Sequence, residues 1–145
     1  MTCRIDFYLL PDDQMQSMLD YACKLAQQYW QQKRILIKTA DKESSQNIDN
    51  ALWNFDPVSF IPHAISCDND SEQQAVLISH RDDVKGLFDL QINLADSAAN
   101  TEQSPHIIEI LNQQENRKNA GRQHYKVYRQ QQCELQHHEL TVNDL

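Results

Sequence analysis

Apolar positions early in the chain repeat in two different ways. Ile5 to Leu10, IDFYLL, form a nearly unbroken apolar run stopped by Pro11, the pattern of a strand buried on both faces of a parallel sheet. Asp12 and Asp13 then offer a helix N-cap. From Met15 the period lengthens: Met15, Met18, Leu19, Ala22, Leu25, Ala26, Tyr29 and Trp30 mark one face of a helix ending near Gln32. A second short strand, Ile35 to Lys38, follows, and then a helix over ADKESSQNIDNALW with Ile48, Leu52 and Trp53 directed inward. Strand, helix, strand, helix is the alternation of an α/β fold with right-handed crossovers.

Further along, NFDPVSFIPH, Asn54 to His63, places two prolines and two phenylalanines in a stretch that reads as extended rather than helical. Taken on its residues alone, this segment is either a plug closing the core from a loop or a surface for a partner, with the plug favoured. Ser66 to Gln74 is a polar, acidic loop, and three strands are expected at Ala75 to Ser79, Leu87 to Leu94 and Ile107 to Leu111. The last helix pattern lies in RKNAGRQHYKVYR, Arg117 to Arg129, with Ala120 and Val127 assigned to its core side. The expected architecture is α/β, a Rossmann-like three-layer sandwich with a mainly parallel sheet flanked by helices. It forms a single domain over residues 1–131, and the Gln/His-rich stretch 132–145 is expected as a disordered tail.

Composition narrows what such a fold can do. Only two glycines are present, Gly86 and Gly121, so neither a G-x-G-x-x-G nor a Walker loop exists to cradle phosphate. The loop after the first strand, where an α/β fold would hold a dinucleotide, is LPDDQM, with two carboxylates in place of bare amides. Four cysteines without a C-x-x-C pair, and no signal peptide before the first apolar run, read as reduced thiols of a cytoplasmic protein. No apolar run reaches the roughly 20 residues of a membrane span.

Charge gives the sharpest contrast. The net charge is −8, yet Arg117 to Arg129 hold five of the 13 Lys and Arg residues and no acid. At about 100° per residue, Lys118, Arg122, Tyr125 and Arg129 fall in a narrow stripe with Lys126 at its edge. Such a row is either a solvated helix face or a receptor for an anion with an aromatic or apolar part, because guanidinium forks onto carboxylate or phosphate while the tyrosine ring offers a flat apolar surface. The acidic remainder disfavours a bare phosphate backbone as partner. Candidate chemistry elsewhere is thin. Cys67 stands near Asp68, Asp70 and His63 without an arrangement that would activate a thiolate, and Cys133 with His137 and His138 lacks a fourth metal ligand. His80, His106 and His124 read as structural or solvated.

Three of these segments, FYLL, DNALWNFDPVSFIPH and RKNAGRQHYKVYR, together and in this order resemble the chi subunits of bacterial DNA polymerase III holoenzyme, from about residue 5 to residue 129. The resemblance implies a replication accessory subunit without catalytic activity, cofactor or metal. It implies two protein contacts: the psi subunit, which joins chi to the clamp loader, and the acidic, phenylalanine-ended carboxy-terminal tail of single-stranded-DNA-binding protein. DNA is then reached only indirectly, and a repair helicase is a further partner at the psi surface. Carried onto this chain, the psi surface comprises Trp53, Pro57, Val58, Phe60 and Ile61, which turns the plug of the aromatic segment into an interface. The tail site comprises Leu111, Lys118, Arg122, Tyr125, Lys126 and Arg129. The competing expectation is a nucleotide- or nucleic-acid-processing enzyme holding phosphate on the basic stripe.

Overall fold

The computed structural model describes residues 3–55, 61–65, 75–81, 84 and 86–145. Within them the chain runs β1 (Arg4–Leu9), α1 (Met15–Tyr29), β2 (Ile35–Lys38), α2 (Lys42–Phe55), β3 (His63–Ile65), β4 (Val76–Ser79), β5 (Leu90–Asn93), β6 (His106–Leu111), α3 (Glu115–Gln130) and β7 (Glu134–Glu139), then a 3-10 turn at Val142–Asp144. The strands form one sheet in the order β3-β4-β2-β5-β6-β1-β7, and every pairing among the described residues is parallel. The α/β sandwich expected from the sequence is therefore present, with helices on both faces of the sheet.

Alternation along the central strands explains the layering. On β6, Ile108 and Ile110 join the core beneath α1 and α2, while Ile107 and Leu111 face α3. On β2, Ile35 and Ile37 point to the first layer, and Leu36 meets Leu77 and Phe88 on the other side. Such strands bury both faces, and each buried aliphatic side chain contributes about 1.5–3 kcal/mol relative to exposure. Asp12 does act at the start of α1, but from two residues before the cap. The cap position is Gln14, whose N–H donates to Asp12 Oδ1 at 3.0 Å, and the Ser17 hydroxyl donates to Asp12 Oδ2 at 2.7 Å. These bonds hold the Asp12 carboxyl below the usual carboxylate range.

Two expectations are corrected here. The inward face of α3 is not Ala120 and Val127: Val127 is exposed, and Arg117, Gly121, His124 and Tyr128 are buried instead. The sheet beneath presents Glu109, a fully buried carboxylate on β6, so the helix turns its hydrogen-bond donors inward. The stretch after residue 131 is not a disordered tail. Gln132 takes a left-handed φ of 61°, and β7 then lies parallel to β1 from Arg4↔Glu134 to Leu9↔Glu139. Its polar sequence, ELQHHE, concealed a strand because an edge strand needs only one partner and few apolar side chains.

Candidate functional site

The basic stripe and the end of the sheet enclose a cleft of about 670 Å³. The sheet supplies its floor through Phe7 and Leu9 of β1, Leu111 of β6 and His137 of β7, and α3 supplies the wall. Leu111, Lys118, Arg122, Tyr125, Lys126 and Arg129, scattered over 19 positions of sequence, all line this one cavity. Arg117, the first cation of the basic segment, does not. It is buried below the helix, where its guanidinium donates to the carbonyls of Asn93, Ala95 and Ile110 at 3.2, 2.9 and 3.0 Å.

Apolar and aromatic groups make the bottom of the cleft. Phe7 stacks on His137 with centroids 5.1 Å apart, and Tyr125 leans on both, 6.0 Å from Phe7 and 5.3 Å from His137. Gly121 lets the helix lie close to this floor. A Cβ built there would come within 2.5 Å of Leu111 Cδ1, so the leucine occupies the space that a side chain would take. The rim carries four cations, Lys118, Arg122, Lys126 and Arg129, and among the described residues no carboxylate lines the cavity. Arg122 reaches Glu115 at 3.7 Å and donates to Asn119 Oδ1, both at the surface. Exposed pairs of this kind contribute about 0–1 kcal/mol, so they do not tie the guanidinium down against a better acceptor.

The helix that carries the rim is fixed from below by a buried polar network. Glu109 Oε2 accepts from Tyr128 Oη at 2.5 Å and from Asn93 Nδ2 at 2.7 Å, and its Oε1 lies 3.0 Å from His124 Nδ1 and 4.0 Å from Arg117 Nη2. Tyr128 Oη in turn accepts the Ala99 N–H at 2.7 Å. Burial works against a charged His124, but the hydrogen bond and charge of Glu109 outweigh it and leave the imidazole above its ordinary value. Burial lowers Arg117, with Glu109 and Asp96 opposing, and burial with the Glu109 charge raises Tyr128, which stays a hydroxyl donor. No local spacing marks the meeting of Glu109 and His124, because a strand and a helix 15 positions apart carry them.

His137, like Phe7, is a floor residue that sequence reasoning missed. Adjacent residues of a strand face opposite sides of the sheet, so His137 enters the cleft while His138 stacks on Tyr8, 4.6 Å away, and bonds Asp6 at 2.9 Å on the other face. That alternation separates the two histidines considered as metal ligands with Cys133. Among the described residues, no group of three or more His, Cys, Asp or Glu is placed to hold a metal ion.

The second expected surface is described only in part. Trp53, on α2, is half exposed and meets the His63 ring edge-on at 4.8 Å. Ile61 is a core residue, 2% exposed and packed in the cluster beneath α1 and α2, so its side chain is covered by the chain's own residues rather than open to a partner. Pro57, Val58 and Phe60 lie outside the described residues, as does Cys67. At the loop after β1, where a dinucleotide would lie, Asp12 already takes an amide of the α1 start, and the Gln113 N–H donates to its backbone carbonyl at 2.8 Å. No helix among the described residues is long and apolar enough to cross a membrane.

Comparison with known proteins gives a consistent result. The family described as "DNA polymerase III chi subunit, HolC" matches residues 1–136. The DNA polymerase III subunit chi of Pseudomonas aeruginosa is 30% identical over 145 residues, covering 94% of this chain and 96% of that protein. The Escherichia coli subunit chi is 29% identical, covering 85% and 88%. That of Haemophilus influenzae is 34% identical over a shorter stretch, 41% of this chain and 42% of the relative.

Proposed function

We propose, from the premise that this chain belongs to the chi-subunit family of DNA polymerase III, that it is a non-catalytic adaptor in DNA replication. Through the psi subunit it joins the clamp loader to the acidic, phenylalanine-ended tail of single-stranded-DNA-binding protein, and it works in the cytoplasm. The observation that carries this reading is the cleft: among the described residues four cations and no carboxylate surround an aromatic floor, on a chain of net charge −8. An acidic peptide ending in an aromatic residue matches both halves of that surface. Arg122 forks the terminal carboxylate, Lys118, Lys126 and Arg129 attract the preceding aspartates, and Tyr125 and Leu111 receive the ring. Trp53, with Pro57, Val58 and Phe60 beside it in sequence, forms the psi contact, where aromatic anchors supply most of the binding energy.

Fluorescence polarisation with a labelled tail peptide tests the cleft. Arg122→Ala is expected to weaken binding by about 1–3 kcal/mol, the cost of losing a charge-assisted hydrogen bond. Because Arg122 is exposed, thermal stability stays unchanged. An affinity equal to that of the unaltered protein removes Arg122 from this role. The enzyme alternative requires a phosphate cradle and an acid, base or metal cluster. The carboxylates at the α1 start stand against the first of these.

A further inference from the structure

We propose that Cys133 and Cys3 form an oxidation site, in which small-molecule disulfides drive formation of a Cys3–Cys133 bond that clasps β7 to β1. This inference is independent of the proposed partners. Arg4 pairs with Glu134, and the Glu134 N–H donates to the Cys3 carbonyl at 2.9 Å, so Cys3 and Cys133 occupy the next rung of the same parallel ladder. Their side chains share one face, packed in the cluster of Ile5, Phe7 and Tyr128. Neighbouring strands lie about 4.8 Å apart, within the roughly 4.4–6.8 Å between Cα atoms that a disulfide spans.

The two cysteines differ in the way such a step requires. Cys133 is half-buried and accessible to a reagent, whereas Cys3 is 7% exposed and its thiol also donates to the Ser104 carbonyl at 3.4 Å. The Cys133 thiolate attacks one sulfur of a small disulfide, such as oxidised glutathione, and releases one glutathione thiolate. Cys3, losing its proton, then attacks the Cys133 sulfur of the mixed disulfide and releases the second. The protein gives up two electrons and two protons, and the small disulfide is reduced to two thiols. Burial pushes the Cys3 thiol up to about 12 and also raises Cys133, so the exchange is slow at neutral pH and quickens as pH rises. Cys23, buried under α1 with no cysteine beside it among the described residues, does not take part.

The bond would act on the turn that joins the two walls of the cleft. Cys133 follows Gln132, the left-handed residue between α3 and β7, and lies midway in sequence between Arg129 on the helix and His137 on the strand. The full-length protein is treated with oxidised glutathione, alkylated, digested without reduction and mapped by mass spectrometry. A peptide joining Cys3 to Cys133 is expected, lost on adding dithiothreitol. Cys3→Ser should instead trap glutathione on Cys133. Amides of residues 134–139 should exchange about tenfold more slowly in the oxidised protein. Separate glutathione adducts on both cysteines of the unaltered chain, a bond to another cysteine, or an unchanged exchange rate each overturn the proposal.

Discussion

Gly121 sets the depth of the cleft by what it lacks. A glycine in a helix interior costs about 1 kcal/mol relative to alanine, and the residues alone offered no reason for one within the basic segment. The reason is Leu111, whose terminal methyl carbons stand where a Cβ would be. Gly121→Ala therefore sets two effects against each other: a gain of about 1 kcal/mol in helix propensity and a displaced leucine side chain. The leucine end is flexible and borders open cleft, so it moves into the cavity and the fold survives. The expected outcome is a thermal midpoint close to that of the unaltered protein with clearly weaker tail-peptide binding. Calorimetry and fluorescence polarisation on one sample separate the two, and retained affinity shows that the leucine has another way to turn. Glu109 presents the opposite case, a buried residue whose partners lose their acceptor when it is changed. Glu109→Gln leaves Arg117 and His124 buried without their carboxylate, and removing one partner from such a network costs about 3–5 kcal/mol. The pH dependence identifies the cause. His124 is raised above its ordinary 6.5, so its contribution is fully present below that value and is lost as pH rises through the higher folded value. Denaturant unfolding should show this falling limb above pH 6.5 in the unaltered protein and a flatter profile in the variant. A parallel decline in both assigns the pH dependence to another group.

Elements were read from the sequence according to how strongly their apolar period is written. β1, α1, β2 and α2 came through within a few residues, since each buries a continuous run or a regular stripe. β7 did not, because most of what holds it is polar. On one face His137 stacks on Phe7. On the other, buried Asp6 receives His138 at 2.9 Å, with His106 at 2.6 Å and the Arg4 guanidinium at 3.1 Å gathered on the same carboxylate. The rotation of α3 was misjudged for the same reason: its buried face is Arg117, Gly121, His124 and Tyr128, which a hydropathy stripe does not mark. Lys118, Arg122, Tyr125, Lys126 and Arg129 were nonetheless legible, because exposed charge segregates visibly along a helix, whereas Leu111 entered only through the family resemblance. Burial tends to raise Asp6, but the bonds from His138, His106 and Arg4 outweigh it and hold the carboxyl below its ordinary value. Its stabilising contribution is therefore present above pH 3.8 and lost as pH falls through the lower folded value. Asp6→Asn removes the charge and turns one of the two acceptor oxygens that three donors share into an amide donor, and it should loosen β7 first. Hydrogen exchange at residues 134–139 is expected to accelerate well before the central strands β5 and β6 are affected. Uniform acceleration across the sheet indicates that Asp6 supports the whole fold rather than the edge strand.

At the scale of the molecule, the sign of the charge decides between partners. A net charge of −8 disfavours a polyanion over the molecule as a whole, and a strand of DNA carries its charge far beyond a cavity of about 670 Å³. A short acidic peptide keeps its charge local and adds an aromatic end for the floor. Both ligands meet the same four cations, so salt alone does not separate them. For the peptide, attraction at an exposed rim is screened over about 10 Å at 0.1 M salt and about 3 Å at 1 M, while the aromatic contact persists. Tail-peptide affinity should fall roughly tenfold between about 0.05 and 0.5 M salt and then level off, as the charge component is lost and the apolar one remains. Bare single-stranded DNA is expected to bind negligibly at about 0.15 M salt, and a complex should form only when single-stranded-DNA-binding protein coats the strand with its tail intact. Titrations of bare DNA, coated DNA and DNA coated by tail-deleted protein distinguish these cases in one series. Tight binding to the bare strand, or equal binding with the tail deleted, would make the cleft a phosphate site and return the enzyme alternative to first place.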